Sequence, residues 1–456
     1  MREIELSADK LVEELLDLSE NEPVSLLDSC GVSNLGSHLL IAGIKPLESF
    51  EITNDDAEKT LAFLDEKFSN TDLAFIFSIS YDFGLKLEKI NSRQKEFTNF
   101  SEPDVFLSAF DCLIIHDYET GKTHLTGNEK RFDEIEIALV NNIKKTEIDE
   151  NFENKNTSIA SNFARESYIL TIEKIQELIR RGDTYQTNLT QQFHAKLPEN
   201  LTAQKIFWRL RKSHPAPFAA FLKRNDDYVV SISPERFFKT ENGKRKTENG
   251  NSINFHTISA SPIKGTRPRG KTAEEDLTLR NELLTSEKDW AENTMIVDLL
   301  RNDVGKTCEF GSVKVEKLCD LETHPTLFHL VSTISGALRE NINFTDILKA
   351  VFPCGSITGA PKINTMQIID ELETANRGLS MGAIGYSIQN SKFKIQNSID
   401  LNVAIRTMVV RNREAIFNVG GGIVIDSVPV NEYEETLVKA KALLNALGAN
   451  EKQILK

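Results

Sequence analysis

The sequence predicts an α+β fold, and three observations carry that prediction. Apolar runs with strand alternation lie between stretches of helical spacing, but they follow one another unevenly rather than as a strict strand–helix–strand series. Two segments, Phe237 to Ile263 and Gly382 to Ile405, read as β-hairpins, each an alternating run interrupted by a polar tip. No internal repeat of about 20–50 residues is present, which excludes solenoids and propellers.

Taken in order, residues 1 to about 145 mix short apolar runs such as Leu39-Leu40-Ile41-Ala42 and Cys112-Leu113-Ile114-Ile115 with a helical stretch from Thr60 to Phe68. This part carries no catalytic motif of its own. Residues 146–162 are polar and Asn-rich, the composition of a loop or linker, and divide the chain into an N-terminal region, 1–150, and a second region, 160–450. Beyond the linker Ile169, Ile172, Ile175, Leu178 and Ile179 recur at helical spacing, and Gly182 after Arg180-Arg181 is a glycine stop. A strand from Tyr185 to Phe193 follows. Further helical patterns cover Ala273 to Leu300, Pro361 to Leu372 and Glu432 to Leu447.

Composition bounds the function. With 40% hydrophobic and 27% charged residues the chain is globular, and a formal charge of -14 with pI near 5.3 argues against nucleic acid or an acidic membrane as partner. The start, MREIELSADK, lacks the apolar stretch of a signal peptide, and no run of about 18 apolar residues occurs, so a cytoplasmic protein is expected. Five scattered cysteines without a C-x-x-C pair read as reduced core thiols.

Several segments have the chemistry of a site. Gly355-Ser356-Ile357-Thr358-Gly359-Ala360-Pro361-Lys362 is a small-residue loop with Pro where the next helix begins, suited to an anion on its amides and equally to a plain helix start. Gly420-Gly421-Gly422 lets backbone approach a ligand closely. Asp289 and Glu292, and Glu432 and Glu435, are each three apart and share a helical face, with Lys439 continuing the second. Carboxylates from two helices across a cleft suit a hydrated Mg²⁺ ion with an anionic substrate, although the spacing alone also fits a solvated charged face. Lys264 in an apolar strand before Gly265 suits an amine nucleophile, or a lysine that merely reaches solvent. Glu235 and His329 are acid/base candidates among apolar neighbours, where a core histidine is the plainer reading of the second. Arg406 on an apolar strand needs an anion, internal or substrate. Together these residues suit displacement on carbon in a small polyanionic substrate.

At these motifs the sequence resembles the chorismate-utilising family, which includes anthranilate, aminodeoxychorismate, isochorismate and salicylate synthases. The resemblance rests on GDTYQTNLTQ (182–191), SPERF (233–237), PIKGT-PRG (262–270), AENTMIVDLLRND (291–303), HLVSTISG (329–336), GSITGAPK (355–362), GAIGY (382–386), AIRT (404–407), GGGIVIDS (420–427) and EYEET (432–436). It implies two orthogonally packed antiparallel β-sheets flanked by helices, with strands from both chain halves. It also implies that Glu292 and Glu435 hold Mg²⁺ with Glu432 in support, and that Arg406, Tyr386 and the Gly421 and Gly422 backbone grip a substrate carboxylate. Thr358 and His329 match positions facing the ring, and Lys439 a position near the carboxylates. Cys354 departs from the usual residue before the loop.

Two positions separate the family's branches. Lys264 stands where the aminodeoxychorismate branch carries lysine and anthranilate synthases carry alanine, and Gln186 stands where the water-adding branches carry a lysine base. The resemblance therefore implies ammonia entering chorismate through a transient Lys264 adduct, with Glu235 as general acid/base and pyruvate retained. Anthranilate synthesis is the alternative chemistry, and a non-catalytic regulatory subunit binding chorismate or tryptophan the alternative class. The sequence shows no glutaminase motifs, so a separate glutamine amidotransferase subunit would supply ammonia. Leu47-Glu48-Ser49 resembles a segment lining an aromatic amino-acid pocket, which would bind tryptophan.

Overall fold

Alternating strands bury one face against another sheet and the other against helices. The computed structural model describes residues 1–33, 36–54, 56–93, 95, 102–140, 157–246, 252–323, 327–393, 398–450 and 453–455. Among these, strands form two largely antiparallel sheets, one 13-stranded and one 10-stranded. The first runs through Val24–Asp28, Phe218–Lys223, Tyr228–Ser233, Thr407–Arg411, Glu414–Ile423 and Gln186–Lys196 in that order. In the second, Ile263–Pro268, Leu327–Ala337, Ser252–Ser261, Arg236–Lys246, Ser398–Val403, Ala383–Ile388, Ala74–Ile79, Val105–Phe110 and Glu48–Ile52 are successive neighbours.

Ile41, Ile76, Phe106, Ala220, Val229, Ile384 and Val409, drawn from both sheets, form one apolar cluster between them. Leu15, Phe207, Trp208 and Leu443 bring helices onto the other face of the first sheet, and Leu64, Leu348 and Met366 onto that of the second. Among the described residues, those of 1–140 share their apolar clusters with later parts of the chain. Their strand Val24–Asp28 pairs with Phe218–Lys223, and Ala74–Ile79 with Ala383–Ile388, so both sheets cross the predicted division.

Local expectations translate with three corrections. Gly182 takes φ +82° and its N–H reaches the carbonyl of Ile179 at 2.9 Å, ending the helix Arg165–Arg180. The single helix expected over Ala273 to Leu300 is two, Ala273–Leu284 and Glu287–Gly305. Ser286 turns extended there and its hydroxyl accepts the N–H of Asp289 at 3.3 Å, a local bond that competes with helix continuation. Pro361 caps Lys362–Leu372 instead of lying inside it. Both predicted hairpins pair as expected, while their tips at 247–251 and 394–397 and residues 146–156 of the predicted linker lie outside the described residues. The rest of that linker is packed structure instead: Ser158–Ser161 is a strand paired with Gln186–Lys196, because Ile159 supplies an apolar side chain to the core. All five cysteines are free thiols, four buried and Cys30 partly so. Among the described residues, no helix is long and apolar enough to cross a membrane.

Candidate active site

The chain passes from the first sheet to the second at Glu235, between Tyr228–Ser233 and Arg236–Lys246, and this crossing buries a carboxyl group. Glu235 is 5% exposed and its Oε1 has no hydrogen-bond partner. Burial raises its pKa above the ordinary range, opposed by Lys264, the Ser356 hydroxyl and the Ile263 amide. Lys264 reaches the same place from the edge strand Ile263–Pro268, its Nζ 3.4 Å from the carbonyl of Ser356. Gly265, at φ +82°, is required beside it: a Cβ there would lie 2.9 Å from Leu283 Cδ1 and 3.0 Å from Asp289 Cβ.

Ser356 belongs to the 3₁₀ turn Gly355–Ile357 within the predicted loop. The turn is tied internally: Ile357 and Thr358 donate their N–H groups to Cys354 and Gly355, and Thr358 Oγ1 donates to the Cys354 carbonyl at 3.0 Å. Two amides expected to cradle an anion are thus used by the turn, a correction to that reading. The Cys354 sulfur lies 3.2 Å from Ser356 Oγ, and burial pushes its thiol up to about 12. Gly359 lies so close to the Gln186 carbonyl that a Cβ would meet the oxygen at 2.0 Å.

Carboxylates gather beside Lys264 from two helices. Glu292 comes from Glu287–Gly305, and Glu432 and Glu435 from Pro429–Ala446. Ser427 donates to Glu432 Oε1 at 2.7 Å, and Lys439 Nζ lies 2.8 Å from Glu435 Oε1 and 3.0 Å from the Gly420 carbonyl. A Cβ on Gly421 would lie 3.4 Å from Glu432 Oε2, so the glycine strand forms a wall of this cluster. Burial raises the pKa of Glu292 against the pull of Lys264 and Lys288. Burial acts on Glu435 too, but Lys439, Lys288 and Lys264 outweigh it and hold that carboxyl low. Lys264 acts electrostatically on Glu235, Glu292 and Glu435, which joins the two groups into one site.

All three donors are carboxylate oxygens, the hard ligands that Mg²⁺ takes, so the set fits that ion. It is open: among the described residues, the group whose three ligand atoms lie within 4.8 Å of one another is instead His38, Asp117 and Glu119, away from this cluster. An open trio suits an ion that keeps much of its water.

The remaining candidates divide. His329 is buried on Leu327–Ala337 opposite Thr266, its Nδ1 2.8 Å from Thr266 Oγ1, two residues along from Lys264. Gln186 is fully buried with neither amide atom partnered, and a Cβ on Gly422 would lie 2.2 Å from its Nε2. Arg406 adopts φ +50°, and its guanidinium has no hydrogen bond or ion pair among the described residues; burial lowers its pKa. Tyr386 points elsewhere. Its hydroxyl is 3.4 Å from Ser398 Oγ, and it lines a cavity of about 550 Å³ between the sheets with Arg236 and Asp400. The structure thus does not bring Tyr386 to the carboxylates, because its register opposite Asp400 turns the side chain into the inter-sheet layer.

That cavity is lined by Leu27, Asp28 and Ser29, not by Leu47-Glu48-Ser49. The latter segment lies on the edge strand and its approach, with Leu47 half exposed and Glu48 paired to Lys67 at 2.8 Å. The sequence reading missed Lys288 and named Ser356 and Ser427 only as members of longer motifs, without a role. Lys288 was findable, since it precedes Glu292 by four residues on one helical face; the serines touch the site only through folding.

Comparison with known proteins gives the family and the fold. A family model described as chorismate binding enzyme matches residues 25–445. The chain is similar to anthranilate synthase component 1 of Aquifex aeolicus, 36% identical over 75% of this chain and 68% of that protein. It is also similar to aminodeoxychorismate synthase component 1 of Bacillus subtilis, 34% identical over 82% of this chain and 77% of that one. Among solved structures, anthranilate synthase component I from Streptococcus pneumoniae superimposes with TM-score 0.74 at 28% identity, covering 90% of this chain and 93% of the other.

Proposed function

The chain belongs to the chorismate-binding enzyme family, and from that premise we propose that it carries out the aminodeoxychorismate synthase reaction, placing ammonia on chorismate for para-aminobenzoate and folate synthesis. The observation that carries the reading is Lys264: an amine beside a buried carboxyl and three metal-suited carboxylates. Similarity to the Bacillus subtilis protein supports it. Gln186, a neutral amide where a base would activate water, supports amination over hydroxylation.

In this reading the Lys264 amine attacks the substrate ring as the allylic C4–O bond breaks, and the buried Glu235, whose pKa burial raises, gives the departing hydroxyl its proton. Ammonia then bonds to C4, the C–N bond to Lys264 breaks, and the surplus proton passes to the Glu235 carboxylate. Glu292 and Glu435 would hold Mg²⁺, with Glu432 in support; the ion would neutralise the ring carboxylate. Arg406, a cation without an ion pair among the described residues, Thr358, the Gly421–Gly422 backbone and Lys439 would receive the other anionic groups, and His329 would face the ring. Tyr386 has no part in this pose. Both relatives are named as component 1, consistent with a separate glutamine amidotransferase subunit supplying ammonia.

The test is to incubate the protein with chorismate, Mg²⁺ and an ammonium salt at alkaline pH, identifying products by mass and assaying pyruvate. Aminated chorismate without pyruvate is expected, and Lys264→Ala should lose it while still binding chorismate. Anthranilate with equimolar pyruvate would replace this reading by the anthranilate synthase one, which the Aquifex aeolicus similarity favours.

A further inference from the structure

The carboxylate cluster contains a cation that the proposed reaction does not use. Lys288 extends its ammonium to 3.6 Å from Glu432 Oε1 and 4.0 Å from Glu292 Oε1. It reaches out from the second residue of the helix Glu287–Gly305, where the helix dipole disfavours a positive charge. Its place therefore calls for a local reason, and the acidic cluster is that reason.

Lys288 and Lys439 are held differently. Lys439 is pinned, 2.8 Å from Glu435 and 3.0 Å from the Gly420 carbonyl. Lys288 contacts its acids only at ion-pair range, and its side chain is 56% exposed, so its four-carbon stem can turn to solvent without breaking a close hydrogen bond. Glu292, Glu432 and Glu435 lie among the ammonium groups of Lys264, Lys288 and Lys439, with Asp289 also acting on Glu292 and Lys264 shared with Glu235. A divalent ion entering between Glu292 and Glu432 would meet the repulsion of Lys288 as well as the attraction of the acids.

We propose that Lys288 is a tethered stand-in for the divalent cation, occupying the Glu292–Glu432 space in the metal-free protein and swinging out when Mg²⁺ binds. The inference rests on the reading that these glutamates hold the ion. Lys288 is then a positioning residue. It keeps the acids from repelling one another while the site is empty, and once displaced it leaves a positive rim for an anionic substrate.

The experiment is calorimetric titration of the full chain with MgCl₂ at low ionic strength, comparing the wild type, Lys288→Met, Lys288→Arg and Glu435→Gln, with melting curves in EDTA and in Mg²⁺. Removing one competing charge at this range should tighten Mg²⁺ binding in Lys288→Met by about fivefold or more. That variant should melt lower in EDTA and gain more from Mg²⁺ than the wild type. Lys288→Arg, which keeps the charge, should bind as the wild type does. Equal or weaker Mg²⁺ binding by Lys288→Met, with Glu435→Gln still impairing it, would overturn the stand-in role and leave the metal site intact. Absence of Mg²⁺ binding in all four proteins would overturn both.

Discussion

Glu235 is a carboxyl group placed where its charge is unwelcome. An unfolded glutamate titrates near about 4.3, and burial lifts the folded group above that. Between the two values the native state holds a proton that the unfolded chain has released, so stability falls as pH rises through this window and stays lower above it. Glu235→Gln carries no charge at any pH and escapes the fall. Its melting temperature relative to wild type should therefore rise as the pH is raised above the unfolded value, while the proposed amination drops by roughly 10²–10⁴-fold. A melting difference that stays constant with pH would show that Glu235 does not carry the burial cost assigned to it. Sequence could nominate this residue because its neighbours are apolar. It could not show that Oε1 lacks a partner, which depends on the crossing between sheets.

At the scale of elements, the site depends on close approaches that only glycine permits. Gly359 sits at φ +145° with its Cβ position 2.0 Å from the Gln186 carbonyl, where Gly359–Ala360 pairs with Gln186–Lys196. Gly359→Ala should cost about 3 kcal/mol or more, read from the urea midpoint, since backbone meets backbone and neither can yield. Gly305 closes the helix bearing Glu292, has nothing within 4 Å of a Cβ position and has no positive φ. Gly305→Ala should be neutral or stabilise by about 0.4–1 kcal/mol. Equal losses for both variants would mean that steric approach does not decide the matter. The elements themselves were largely legible, because helical spacing and alternation are local signals. The helix break at Ser286 was not, since apolar spacing continues across it and only the cap bond to Asp289 reveals the turn. Nor was the direction of Tyr386, which register against Asp400 decides.

At the scale of the molecule, what the sequence hides is long-range pairing. Val24–Asp28 lies beside Phe218–Lys223, and Ala74–Ile79 beside Ala383–Ile388, partners that no local periodicity can identify. A chain so interleaved has no boundary at which one region could melt alone, so it should unfold as one cooperative unit despite its length. Its two tryptophans report on opposite parts: Trp208 is buried in the layer over the first sheet, and Trp290 lies on the helix that carries Lys288 and Glu292. Trp208→Phe and Trp290→Phe each leave one reporter, and their urea transitions by fluorescence should coincide with each other and with the loss of far-UV ellipticity. A lower midpoint reported by Trp290 would detach the edge strand Ile263–Pro268 and its helices as a separately melting wing. In that case Lys264 and Glu292 would belong to the least stable part of the fold, and the site would form only when that wing docks on the glycine strand and the acids of Pro429–Ala446.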